Sequence, residues 1–195
     1  LGCWFGSGSI KQLYNSSTYV SCAIPTTLKE VTVTRATRIP YGAFSNCSFI
    51  EKIDIPDTVT SVEDDAFYNC SGLSEINIPN GIKEIKPYTF CDCSNLKGIN
   101  LPDSVTTIGD YAFAGCKSIT SAALPNRATS IGSSAFSNCT GLTAIQLPSS
   151  LKTIGNSAFY QCKNIKECNL PASLTTIGEY AFEGCSGVTV LTVPD

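Results

Sequence analysis

Eleven cysteines, an acidic run and a glycine-rich start are the parts of this 195-residue chain that could do chemistry. Cys91 and Cys93 form a Cys-Asp-Cys, a tempting metal pair. A zinc site would need a second Cys or His pair, and the chain has no histidine at all. That also removes the commonest general base and every Ser-His or Cys-His nucleophile. Glu63-Asp64-Asp65 lacks the oxygen-ligand spacing of a calcium loop and reads as favourable charge at the start of a short turn. Gly2–Gly8 has no following Lys-Ser/Thr, so it is no phosphate loop. The expectation is a non-enzyme with no metal and no cofactor.

Most of the cysteines answer to a different rule. Cys47, Cys70, Cys93, Cys116, Cys139, Cys162 and Cys185 follow one another at 23 residues, as do Phe44, Phe67, Phe90, Phe113, Phe136, Phe159 and Phe182 and a set of prolines from Pro56 to Pro194. A fixed register of this kind is what a solenoid requires, because each unit must offer the same shape to its neighbour. In-phase thiols then stack inside the coil as small apolar groups. Cys168 takes the place of a mid-strand isoleucine and belongs there too. Cys3 and Cys22 lie outside the period and form a candidate disulfide in an oxidising compartment.

Aligned on the proline, apolar side chains sit 6, 3 and 1 residues before it and 3, 6, 10, 11 and 14 after it. The segment before the proline alternates like a half-buried strand, and proline ends it because it has no N–H to donate. The β-branched residues that follow suit a second short strand. Tyr-Ala-Phe-Ala at 111–114 suits a single helical or 3₁₀ turn. The fold class expected is therefore α/β: a curved, right-handed solenoid of parallel strands with short helical turns. An earlier strand, Leu28–Val33, fits if one step is 22 residues instead of 23. A rival alignment uses Pro25, Leu28 and Val31 but needs an eight-residue insertion. The array so defined covers 28–195, about seven and a half repeats, behind an irregular leader at 1–27. An unshielded last strand suggests that the parent array runs on. Ala122 and Ala128, small where other units carry Ile, Val or Leu, predict a soft point near 119–131.

Net charge is −3, from 13 basic and 16 acidic residues, with no basic stripe to mark a nucleic-acid footprint. No apolar run approaches a membrane span. The strand face offers outward columns from which Lys52, Asp54, Glu75, Asn77, Asn100, Gln146, Glu167 and Asn169 are candidate ligand contacts. A second candidate surface carries Tyr68, Tyr88, Tyr111, Tyr160 and Tyr180 beside the phenylalanine turns. Sequons at Asn15, Asn46, Asn69 and Asn138 come largely from the repeat itself.

The string Leu-Pro-x-Ser-Val/Leu-Thr-Thr-Ile-Gly-x-x-Ala-Phe-x-x-Cys, ending at Cys116, Cys162 and Cys185, resembles the BspA-like leucine-rich repeats. That resemblance implies a leucine-rich-repeat solenoid. It also implies secreted or surface-anchored proteins of host-associated bacteria and some protists, with adhesion to a host or cell-surface protein, and glycans as a further partner class. A rigid spacer presenting another domain is the alternative role.

Overall fold

The computed structural model describes residues 3–6, 9–15, 18–23 and 26–193, with side chains described from residue 26. Strands β1 (Cys3–Gly6), β2 (Ser9–Asn15) and β3 (Thr18–Ala23) form an antiparallel sheet in that order. The remaining strands are parallel and line up in two columns, each broken once into two sheets. One contains β4 (Glu30–Thr32), β6 (Lys52–Asp54), β8 (Glu75–Ile76), β10 (Ile99–Asn100), β12 (Ser121–Ala123), β14 (Ala144–Gln146), β16 (Glu167–Asn169) and β18 (Val190–Thr192). The other contains β5 (Arg38–Ile39), β7 (Ser61–Val62), β9 (Glu84–Ile85), β11 (Thr107–Ile108), β13 (Ser130–Ile131), β15 (Thr153–Ile154) and β17 (Thr176–Ile177).

Each turn follows from its residues. The first strand ends at proline, whose carbonyl accepts the N–H three residues on, as from Val105 to Pro102 at 3.0 Å, closing a tight turn into the second strand. Val31 pairs with Ile53, a step of 22 as the sequence predicts, while Arg38 pairs with Ser61, a step of 23. The missing residue therefore lies between β4 and β5, at the turn that lacks the proline.

The described residues contain no helix, so the α/β expectation is corrected to all-β. Around Phe113, alternate amides point different ways. Ala112, Ala114 and Cys116 donate to carbonyls three residues back, while Tyr111, Phe113 and Gly115 donate to Ser133, Ala135 and Ser137 of the next turn. A helix would need all of them inside one segment. Left-handed residues at Tyr111 (φ 55°) and Gly115 (φ 72°) bracket the stretch and stop helical propagation.

The core is the in-phase apolar set. Consecutive phenylalanine rings from Phe44 to Phe182 stack with centroids 5.2–5.5 Å apart. Both ladders run unbroken through Ala122 and Ala128, which are buried. The interruptions fall earlier, between β8 and β10 and between β7 and β9. Two glycines mark that turn. Gly98 stands immediately before β10, with no atom near a would-be Cβ. At Gly81 an inter-turn bond is missing. Ser104, Ser150 and Ser173 donate their hydroxyls to Ile82, Ala128 and Leu151 at 2.5–2.6 Å, whereas Gly81 and Arg127 have none to offer Val59 and Val105.

Gly81→Ser should restore that bond, since its Cβ meets nothing closer than 3.4 Å. We expect a gain of about 1 kcal/mol, or roughly 2–4 °C in melting temperature. Gly72→Ser, whose Cβ would collide with the Ser48 carbonyl, should lower it. Amide exchange should be faster at 75–85 and 99–100 than at 121–131.

Candidate functional site

The ladder register brings the strand-face candidates into columns. Lys52 lies opposite Glu30 on one side and Glu75 on the other, and its Nζ is 3.8 Å from the Asp54 carboxylate in its own strand. Asn100 and Gln146 flank Ala123, while Glu167 and Asn169 pair with Val190 and Thr192 of β18. Lys52, Ile53, Asp54, Glu75, Ile76 and Asn77 line a depression of about 240 Å³. Asn77 is committed to the fold. Its Oδ1 accepts the Ile55 N–H at 3.0 Å, and its Nδ2 donates to the Ile55 carbonyl at 2.7 Å. In other turns that N–H meets a backbone carbonyl instead, as from Leu124 to Gln146.

A neighbouring groove of about 430 Å³ was not legible in the strand columns. Glu51, Ser74 and Lys97, one step before the strand residues, line it together with Phe49, and Lys29 closes one end through a 2.8 Å ion pair with Glu51. Phe49 is half-buried and stands where the following turns carry Gly72, Asn95, Ser118, Gly141, Asn164 and Gly187. That departure from its column is the signal that could have found it.

Residues 25–123 and 106–195 match the BspA type leucine rich repeat region, in six copies. The chain belongs to this family. No curated protein matches it. Among solved structures, this BspA-type chain resembles a leucine rich repeat protein of T. pallidum, with TM-score 0.80, 29% identity, and 85% of this chain and 80% of that one covered. It also resembles a leucine rich cell surface protein of Faecalibacterium prausnitzii, with TM-score 0.79, 28% identity, and coverage of 98% and 54%. A leucine-rich repeat protein of Eubacterium ventriosum gives TM-score 0.71, 25% identity, and coverage of 96% and 51%. The chain spans about half the length of the last two.

Within this BspA-type coil the in-phase thiols are interior, as their phase predicts. Cys70, Cys93, Cys116, Cys139 and Cys162 are buried and Cys185 half-buried. Each donates its thiol across one turn to a phenylalanine carbonyl 26 residues earlier, at 2.9–3.1 Å. Cys168 is buried in the strand ladder. Cys91 is also buried, and its Sγ lies 3.8 Å from an Asp92 carboxylate oxygen. Among the described residues no group of three or more His, Cys, Asp or Glu is placed to hold a metal ion. No helix among them is long and apolar enough to cross a membrane. Cys3 lies opposite Gln12 and Cys22 opposite Ile10, with β2 between their strands. Their side chains, and so their pairing, lie outside the described residues, as does the sequon at Asn15.

Burial pushes the thiols up, Cys168 to about 11 and Cys185 to about 12. A raised folded-state value means the stability these groups contribute is present below about pH 8.5, where an unfolded thiol ionises. It is lost as pH climbs toward 11 and 12, by about 1.4 kcal/mol per pH unit for each thiol involved. We expect cooperative alkaline unfolding above pH 9, followed by circular dichroism. Native thiols should resist a disulfide reagent at pH 8 and react after denaturation.

Proposed function

We propose that this array is a non-enzymatic, surface-displayed interaction module that binds an extended segment of a host or cell-surface protein, or a glycan, along its strand face. One observation carries the reading. The polar columns around Lys52, Glu75 and Asp54 adjoin the groove of Phe49, so that two depressions of about 240 and 430 Å³ lie side by side on one end of the array. A half-buried aromatic ringed by serines, an asparagine and paired charges gives both an apolar contact and hydrogen-bonding groups. The cell-surface description of the F. prausnitzii relative supports extracellular display. The absence of histidine from the sequence and the raised thiol values support a role without catalysis.

A rigid spacer is the second reading. It is favoured by Asn77, a candidate contact whose amide is spent on the backbone of Ile55. The two readings separate in a binding experiment against immobilised matrix proteins and a glycan array. A binding module retains a partner, and Lys52→Ala/Glu75→Ala/Gln146→Ala weakens it at least tenfold with an unchanged melting temperature. A spacer retains nothing on any surface, and the triple substitution is silent.

A further inference from the structure

One position in each turn, immediately before the core alanine or its Thr89 equivalent, is left-handed. It is filled by Asp65, Ser134 and Ser157 in some turns, by Gly42 in the first, and by Tyr88, Tyr111 and Tyr180 in the rest, all with φ between 54° and 59°. Small or turn-forming residues suit that conformation, whereas a bulky side chain is strained there. The tyrosines are not buried in return. Tyr88 and Tyr111 are 37% and 38% exposed, and Tyr180 64%.

Tyr88 and Tyr111 stack on each other at 4.8 Å with planes 4° apart. Asp65 precedes them in the same column, and its N–H donates to the Pro87 carbonyl beside Tyr88. Tyr41, 73% exposed, lies against Asp65 and Asp64. Asp110 stands beside Tyr88, whose N–H donates to its carbonyl at 2.9 Å. Among the other charges nearby, Lys86 holds Glu63 and faces Asp64 and Glu84, and Arg38 faces Glu63. These two cations stand against five carboxylates, Glu63, Asp64, Asp65, Glu84 and Asp110, the last of which also accepts the Ser133 N–H at 2.7 Å, so an acidic excess remains around the exposed aromatic rings. Hydrogen bonding to the Asp65 carboxylate pushes the Tyr41 phenol up, which agrees with a locally negative field.

We propose that this turn edge, formed by Tyr41, Asp65, Tyr88 and Tyr111, is a second contact surface, and that its occupant is a basic protein segment presenting an arginine to the rings. A guanidinium stacks on an aromatic face and is held by carboxylates beside it, which is the chemistry assembled here. The surface is separate from the strand face and does not depend on the reading given for it.

The test uses the full chain and a labelled nine-residue peptide of alternating Arg and Ser, with citrulline replacing every Arg as the uncharged control. The Arg peptide should bind, and the citrulline peptide at least tenfold more weakly. Tyr88→Gly/Tyr111→Gly should weaken Arg-peptide binding at least tenfold while leaving the melting temperature unchanged or higher, because glycine relieves the left-handed strain. Asp65→Asn should weaken it about threefold, and the strand-face substitutions should leave it alone. Equal binding of the two peptides would overturn the proposal. So would full binding by the double glycine variant, or a melting temperature lowered by it, since the rings would then be serving the fold.

Discussion

Hydrogen bonds running along the axis at a constant separation are the constraint to which the rest of the coil is subordinate. In the strands, amides such as Thr106 donate back to the previous turn, to Lys83. In the phenylalanine turn, amides such as Phe113 donate forward, to Ala135. Each turn is therefore clamped to its neighbours on two sides, and a one-residue change anywhere between would break a clamp. The chain tolerates one, between β4 and β5, where no proline turn has to be closed. Thiols join the same scheme. The Phe67 carbonyl accepts both the Cys70 N–H at 3.1 Å and the Cys93 thiol at 3.1 Å. Cysteine suits this position because it is small, apolar and still carries a donor.

With the axial bonds fixed, side-chain identity is free only off the clamps. Thr89 shows how the core absorbs a departure. It replaces an alanine, and its hydroxyl returns to the Lys86 carbonyl at 2.7 Å, so the buried oxygen is satisfied. Ala122 and Ala128 show another, since the ladders close around them without losing register. Departures that face solvent have no such internal accounting. Phe49, Tyr88 and Tyr111 are of that kind, and each contributes to a groove or an exposed aromatic edge.

The period made the stack legible. Phase alone placed the phenylalanine spine, the interior sulfurs, Cys168 and the 22-residue step. Local propensity failed at Tyr-Ala-Phe-Ala, because whether an amide closes a helix or reaches the next turn is decided by the neighbouring turn and not by four residues. The soft point expected near 119–131 and the ladder interruptions do not coincide. Around Ala122 the ladder keeps its register despite the shortened side chain, and it does so even though Arg127, like Gly81, lacks the inter-turn hydroxyl. The strand columns did hold the polar candidates in register, yet Asn77 turned out to serve the Ile55 backbone. Its column alone could not distinguish a contact from a clamp. Phe49 escaped notice because it lies beside the strand columns and not in them.

A stack of this kind apportions stability turn by turn, since each unit touches only its neighbours. The third turn combines three departures found singly elsewhere or not at all: Gly81 lacks an inter-turn hydroxyl, Gly98 leaves the approach to β10 without a side chain, and Tyr88 is left-handed. The same turn supplies Asn95 and Lys97 to the groove, and Tyr88 to the aromatic edge. Strain and open surface coincide where recognition is proposed, as expected when contact residues are kept at the expense of local stability. Because flanking turns from Val105 onward carry an intact ladder, that local cost is not transmitted along the axis, and the array can hold a weakened turn without losing its register.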